Sequence, residues 1–248
     1  MNRHVLVTGH TRAGSSLLYS MLQRTLTGFS IPGPEFPARA VLMMPGSTCS
    51  RRGFDIFEFE KIVEASAGRK RLDMIVTLRD PRDILTSYDP RLPEDYVCSA
   101  DHSYFLAGQG QPQQILPGLL QTHAAIVAAE ASGALPQGIF FLRYEHLVSE
   151  PQRVQNLLAD CLELEFSGDF RDFNTREIAA HGDALTGLRP LDGSRIEKWR
   201  APHHRARIID QFTRFPELHE IVEGLGYEPD RSWFDHLVAT PEAQAAIA

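Results

Sequence analysis

Residues 9–16 combine the residue types that bind an anion. The segment reads GHTRAGSS: Gly14 lets the backbone approach a ligand, Ser15 and Ser16 supply hydroxyl donors, and Arg12 supplies a fixed positive charge. A glycine-containing loop with these donors predicts an anion cradle. The pattern is moderately specific, and an ordinary strand-to-helix turn is its alternative.

The elements around this segment support the cradle. Residues 4–8 are apolar and β-branched, which predicts a buried strand, and residues 15–26 carry apolar side chains at helical spacing. The segment therefore leads into a helix N-terminus, where unpaired N–H groups and a partial positive charge favour anions.

A second charged segment follows a second predicted strand, residues 72–78. It begins RDPRD at Arg79 and predicts a helix start. Asp80 suits the cap, Pro81 suits the first turn, and Asp83 stands where a capping acid helps.

Arg79 and Ser87 form the candidate ligand pair of this second segment. Ser87 lies 87 − 79 = 8 residues after Arg79, about two helical turns beyond the cap. A guanidinium fork and a hydroxyl together suit a phosphate. The alternative is a capped helix with surface ion pairs.

Composition limits the function classes. The chain has 248 residues, a net charge of −7, 43% hydrophobic and 23% charged residues. The acidic balance disfavours a nucleic-acid partner. Three cysteines without CxxC spacing disfavour a structural zinc site, and we expect no metal site. No apolar run approaches the roughly 20 residues of a membrane span, so a cytoplasmic protein is expected.

Further elements complete an alternating pattern of strands and helices. The sequence predicts a third strand at residues 138–142 and long irregular stretches at 29–54 and 88–113. It predicts further helices at residues 57–67, 114–132, 151–162 and 216–225. This alternation predicts an α/β fold with a central parallel sheet flanked by helices, in one domain over residues 1–248.

The two segments together resemble the PAPS-dependent sulfotransferases, where PAPS is 3′-phosphoadenosine 5′-phosphosulfate. VTGHTRAGSSLL, residues 7–18, resembles the family's 5′-phosphosulfate loop, and VTLRDPRDILTSY, residues 76–88, resembles its 3′-phosphate segment. The stretch FLRYEHL at residues 141–147 is similar to a third motif, and the match is with a bacterial, carbohydrate-type-like branch. The resemblance implies a three-layer P-loop-like fold.

The resemblance also implies roles for individual residues. Arg79 and Ser87 would hold the 3′-phosphate, Tyr144 would lie near the adenine, and Arg195 would contact the nucleotide from a fourth, weaker motif. The 5′-phosphosulfate would be held by the first loop, through Arg12, Ala13, Gly14, Ser15 and Ser16.

The general base has two candidates. In many carbohydrate-type relatives a glutamate follows the loop cation by some two dozen residues, and Glu35 lies 35 − 12 = 23 residues after Arg12. We favour Glu35 as the general base, because the neighbouring prolines could fix its direction. The alternative is that Glu35 is an ordinary surface carboxylate of the loop. His102 is the reserve base, or otherwise a loop histidine.

Two other functions compete with a sulfotransferase. The first loop lacks the lysine of a Walker A motif, but a kinase using ATP and magnesium stays open. A non-catalytic module that binds phosphorylated adenosine also stays open. A sugar, a small metabolite or a natural product could be the acceptor, and the oligomeric state is not readable from the sequence.

Overall fold

The structure is a computed structural model and describes residues 1–33, 35–105, 111–173 and 191–239. The chain divides into two compact units. Unit 1 comprises Met1–Leu78 and Ala125–Gly193, and unit 2 comprises Arg79–Ala124 and Ser194–Ala248. Each unit is described by itself.

Unit 1 is built on a five-stranded parallel sheet in the order β2-β3-β1-β4-β7. Flanking helices cover the sheet, so the predicted α/β fold with a central parallel sheet is confirmed. The strands of the chain are β1 (Arg3–Gly9), β2 (Phe29–Ser30), β3 (Ser47–Arg51), β4 (Arg71–Leu78), β5 (Ser103–Phe105), β6 (Gln113–Ile115) and β7 (Ile139–Arg143).

Ten helices are described. They are α1 (Ser15–Thr25), α2 (Ala38–Leu42), α3 (Phe59–Ser66), α4 (Pro81–Leu85), α5 (Leu119–Ala131), α6 (Tyr144–Ser149), α7 (Pro151–Leu162), α8 (Arg205–Arg214), α9 (Glu217–Gly224) and α10 (Ser232–Ala239). None of these described helices combines the length and apolar character needed to cross a bilayer.

The main core of unit 1 joins α1 and α7 to the sheet. Leu18 and Leu22 of α1 and Leu158 of α7 are fully buried against Val5 and Ile75 of the two central strands. Helix α7 has the bounds predicted for it, because its apolar residues recur at helical spacing after a proline that suits a first turn.

Gly9, the last residue of β1, leaves no room for a side chain beside β4. Gly9 is in register with Thr77 of β4, and a Cβ at Gly9 would lie 2.3 Å from the Thr77 carbonyl oxygen. The backbone of Gly9 has a φ of 134°. A glycine is therefore required where the first candidate loop leaves the sheet.

Residues 29–54 are not the irregular stretch that the sequence predicts. They supply β2, β3 and the short helix α2. Strand β3 reads STCSR, and parallel strands usually read as apolar runs, which is why it was missed.

The polar residues of β3 are satisfied inside the sheet by His4. The His4 ring pairs with Thr48 Oγ1 at 2.8 Å and with Ser50 Oγ at 3.0 Å, and Lys70 Nζ donates to Thr48 at 3.0 Å. Burial, followed by the Lys70 charge, lowers the pKa of His4 to about 3. The neutral imidazole thus replaces the apolar contacts that such a strand normally makes.

Unit 2 has its own apolar core, in which α8 and α9 pack beneath α4. Ile84, Leu85, Phe212 and Leu218 are all buried there. The predicted helix from residue 114 was wrong at its start, because Gln113–Ile115 pairs with Ser103–Phe105 as antiparallel strands and α5 begins only at Leu119.

Candidate functional site

The first candidate loop has a backbone of alternating handedness. It leaves β1 after Gly9 and enters α1 at Ser15. Arg12 has a φ of 66° and Gly14 a φ of 86°, so left-handed residues flank Ala13. Turns of this kind occur in anion-binding sites, where their N–H groups point to one side. In this loop the Ala13 N–H donates to the His10 carbonyl at 3.2 Å.

The helix that follows adds further donors to this loop. The first bond of the helical pattern runs from Leu18 N–H to the Gly14 carbonyl at 3.0 Å, so Ser15 and Ser16 occupy the first turn, whose N–H groups have no intrahelical acceptor. Arg12 and Ser16 are exposed, whereas Ala13 is 1% exposed. The loop therefore presents a cation and a hydroxyl at its surface.

Tyr144 lies directly over Gly14. A Cβ at residue 14 would be 2.7 Å from the Cδ2 atom of the Tyr144 ring. Tyr144 is 8% exposed and begins α6, immediately after β7. Two residues that the sequence assigns to one ligand are thus in contact within unit 1, and the absence of a side chain at Gly14 makes room for an aromatic ring.

The second candidate segment begins as the sequence predicts. The Asp80 carboxylate accepts from the Arg82 N–H at 2.9 Å, and Pro81 opens α4, so the predicted cap is confirmed. Arg79 precedes this cap and is 4% exposed, and Ser87 is 1% exposed and donates to the Asp83 carbonyl at 3.2 Å. Both predicted phosphate ligands are therefore buried side chains of unit 2.

Arg79 contacts a second predicted residue. Its Nη2 atom donates to the Arg195 carbonyl and lies 3.6 Å from Asp83 Oδ2. The structure thus brings Arg79 and Arg195 together, and the contact involves the Arg195 backbone.

Asp83 lies in the first turn of α4, as predicted, and its side chain bonds to residues outside that helix. Its fully buried carboxylate accepts from the Glu197 N–H at 2.9 Å and from the Trp199 N–H at 3.1 Å. The capping contact to α4 is made by Asp80. Burial raises the pKa of Asp83 to about 6, against the opposing effect of Arg79.

Arg82 is the buried centre of an ionic and aromatic cluster in unit 2. It is 2% exposed and pairs with Asp80 through Nε at 3.0 Å and Nη2 at 2.8 Å, and with Glu228 through Nη1. Its Cζ atom lies 4.0 Å from the ring centroid of Trp199 and 4.6 Å from that of Trp233. Cation–π contacts of this kind are stronger when desolvated. Arg82 therefore ties α10 to the RDPRD segment.

Glu35 is held by an arginine that the sequence did not single out. Its Oε1 atom lies 3.1 Å from Nη2 of Arg51, the last residue of β3. The Glu35 side chain is 52% exposed and that of Arg51 is 6% exposed. Arg51 also lies over the Tyr19 ring, with Cζ 6.0 Å from the centroid. No signal in the sequence indicated Arg51, because β3 itself was not predicted.

His102 lies in unit 2 beside a carboxylate. Its Nδ1 atom pairs with Asp101 Oδ1 at 2.8 Å, and its Nε2 atom is 4.0 Å from Glu94 Oε2. Each ring nitrogen of His102 thus faces a carboxylate, and its Nε2 atom is buried.

Comparisons with known proteins connect this arrangement to one fold. No family model matches the chain, and no curated protein matches it in sequence. The sulfotransferase domain from the curacin biosynthetic pathway matches with a TM-score of 0.55 and 15% identity, over 86% of this chain and 98% of that domain. Mouse sulfotransferase SULT7A1 complexed with PAP matches with a TM-score of 0.50 and 12% identity, over 86% and 84%. The chain therefore has the fold of sulfotransferase domains.

Proposed function

We propose that this chain is a sulfotransferase that uses PAPS and forms a single functional domain over residues 1–248. The acceptor is a hydroxyl or amine of a sugar, small metabolite or natural product. PAP, the 3′,5′-bisphosphate, is the product that it releases.

One observation carries this proposal: each segment that resembles a phosphate-binding motif follows one of two paired parallel strands. The loop of residues 9–16 follows β1, and Arg79 is the next residue after β4 ends at Leu78. In open α/β sheets ligands bind beyond the carboxyl ends of the strands. The fold shared with sulfotransferase domains supports the same interpretation.

The donors of each segment fit the nucleotide. Arg12, Ala13, Gly14, Ser15 and Ser16 would hold the 5′-phosphosulfate, and Arg79 and Ser87 the 3′-phosphate, with Tyr144 and Arg195 as further contacts. When bound, PAPS supplies the sulfuryl group. Arg12 and the loop N–H groups would stabilise negative charge on the sulfuryl and bridging oxygens, which is the role of preorganised donors.

Glu35 is the proposed general base, with His102 in reserve. Arg51 directs the Glu35 carboxylate through their 3.1 Å ion pair. We expect Glu35→Gln to lower kcat by about 10²-fold or more, since a positioned base contributes about 10²–10⁴-fold. If His102→Gln lowers kcat by this amount and Glu35→Gln keeps the wild-type kcat, His102 is the general base instead.

The first experiment is thermal unfolding with PAP and, separately, with ATP plus magnesium. A ligand at 100 times its Kd adds about 2.7 kcal/mol of stability, which raises the Tm of a chain of this size by roughly 5–10 °C. We expect that rise with PAP and its loss in Arg79→Ala.

Two outcomes would overturn the proposal. A rise in Tm only with ATP and magnesium would indicate a kinase. No rise in Tm with either ligand would show that the chain binds neither nucleotide. A chain that binds PAP but turns over no sugar, small-metabolite or natural-product acceptor, so that Glu35→Gln has no measurable effect, would be a non-catalytic binding module.

A further inference from the structure

The turn formed by residues 195–199, called the 195–199 turn below, is fixed to α4 from one side. The backbone N–H groups of Glu197 and Trp199 both donate to the Asp83 carboxylate, at 2.9 and 3.1 Å. Lys198 Nζ donates to the Thr86 carbonyl at 2.8 Å. Three successive residues of the turn are therefore bonded to the short helix that follows Arg79.

The conformation of the turn depends on these bonds. Glu197 has a φ of 55° and a ψ of 23°, in the left-handed region that a glutamate rarely adopts. A non-glycine residue in this region costs about 1–2 kcal/mol, and surrounding contacts must maintain it. The Asp83 carboxylate supplies the contact made by the Glu197 N–H itself.

The same carboxylate also faces Arg79. Asp83 Oδ2, which accepts from Glu197, lies 3.6 Å from Arg79 Nη2, and that Nη2 atom donates to the Arg195 carbonyl. Arg79, Asp83 and the turn thus form a closed circuit of contacts. A displacement of the turn would move the carbonyl oxygen that holds the Arg79 guanidinium.

We propose that Asp83 is a positioning residue of the 3′-phosphate site: by fixing the 195–199 turn it sets the direction of the Arg79 guanidinium. This inference rests on the proposed function, because it assigns Arg79 to the 3′-phosphate. Asp83 contacts no ligand in this scheme. It preorganises the site, which lowers the free energy needed to order the site on binding.

The test compares two nucleotides that differ only in the 3′-phosphate. Calorimetric titration of the full chain with PAP and with 5′-AMP gives the ratio of their Kd values, which measures the contribution of that phosphate. We expect Asp83→Asn to reduce the ratio about 10-fold, equivalent to about 1.4 kcal/mol. A purely structural role would lower the folded fraction for both nucleotides and leave the ratio unchanged.

Asp55→Asn is the matched control. The Asp55 side chain is also fully buried, accepts from a backbone N–H (Ala38, 2.9 Å) and lies 3.5 Å from an arginine, Arg52, but it belongs to unit 1. Asp55→Asn should destabilise the chain and keep the wild-type ratio. Equal loss of the ratio in both variants would overturn the inference.

Glu197→Pro tests the inference without a change in the core. It removes the N–H that Asp83 accepts and excludes a positive φ, at a residue whose side chain is 58% exposed. We expect a reduced ratio together with some loss of stability, because the buried Asp83 carboxylate loses one of its N–H partners. A wild-type ratio in both Asp83→Asn and Glu197→Pro would reject the role of Asp83 and leave the proposed function intact, whereas a wild-type chain that binds neither nucleotide would reject both.

Discussion

The two candidate anion-binding segments differ in what maintains their structure. The loop of residues 9–16 relies on backbone geometry: two positive φ angles, the first turn of α1, and an exposed cation in Arg12. The segment from Arg79 to Ser87 relies on buried side chains, whose carboxylates and guanidinium groups bond to one another and to the 195–199 turn.

Because of this difference, a substitution in the first segment can affect activity alone, whereas a substitution in the second affects activity and stability together. A substitution at an exposed loop cation removes charge without disturbing a core. A substitution in a buried ionic network leaves partners unpaired at a large cost in stability. Substitutions in the first segment should therefore lower activity and leave the stability of the chain nearly unchanged. Substitutions in the second segment should lower stability first.

The largest effect is expected for Arg82→Leu. It leaves Asp80 and Glu228 without their buried cation and removes the contacts to both tryptophans, so the free energy of unfolding should fall by about 3–5 kcal/mol. Urea unfolding monitored by circular dichroism measures it.

Arg91→Leu is the control for this prediction. Arg91 pairs with Asp89 as Arg82 pairs with Asp80, through Nε at 2.9 Å and Nη2 at 2.7 Å across the same two-residue spacing, but its side chain is 67% exposed. Solvent screens an exposed ion pair, so Arg91→Leu should lower the free energy of unfolding far less than Arg82→Leu. Equal losses in the two variants would show that burial does not decide how much such a pair contributes to stability.

Arg12→Ala should have the opposite profile. We expect turnover of PAPS to PAP, with a mixture of phenol, sugar and amine acceptors, to fall by about 10²-fold or more because a charge-stabilising donor is lost. The Tm should stay within about 1–2 °C of the wild type, since the residue is exposed. Arg69→Ala, at an exposed arginine between α3 and β4, should alter neither quantity.

The stability contribution of Asp83 should depend on pH. Its pKa is raised to about 6 in the folded chain by burial, with Asp80 acting in the same direction and Arg79 and Lys198 opposing it. Because its pKa is higher in the folded than in the unfolded chain, Asp83 binds its proton more tightly in the folded chain. Its protonation therefore stabilises the fold fully below about pH 4, and this stabilisation is lost as the pH rises through about 6.

A series of urea titrations measures this dependence. Between pH 4 and pH 7 the stability of the wild type, relative to Asp83→Asn at each pH, should fall by roughly 1–3 kcal/mol. A difference between the two proteins that is constant over this range would show that Asp83 does not titrate there.

The smallest effect is expected as the difference between Gly14→Ala in the first segment and Gly133→Ala. The new Cβ at residue 14 would meet the Tyr144 ring at 2.7 Å with a φ of 86°, so this contact should lower stability by about 1–2 kcal/mol beyond the cost of the backbone conformation. Gly133→Ala isolates the backbone part, because Gly133 has a φ of 59° and nothing within 4 Å. Equal destabilisation of the two variants would mean that Tyr144 moves aside freely.

Local patterns in the sequence predicted the elements that carry the two segments. Strand β1, helix α1, strand β4 and the Asp80 cap depend on neighbours within a few residues, and each was found where expected. Strand β3 was missed because its hydroxyl residues are satisfied by His4, which lies 44 residues away from Thr48 in the chain.

The partners of the candidate residues could not be predicted for the same reason. The ion pair of Glu35 with Arg51, the bond of Asp83 to Trp199, and the contact of Arg82 with Glu228 join residues that are distant in sequence. Motifs identify which side chains carry charge. Only the tertiary structure identifies which charge is held by which neighbour.

The position of Arg82 has an optical consequence. The chain contains two tryptophans, Trp199 and Trp233, and both pack on this one guanidinium, with their ring centroids 5.5 Å apart. Indole fluorescence of the native protein therefore originates entirely beside the RDPRD segment. Its emission spectrum is a built-in spectroscopic reporter of unit 2.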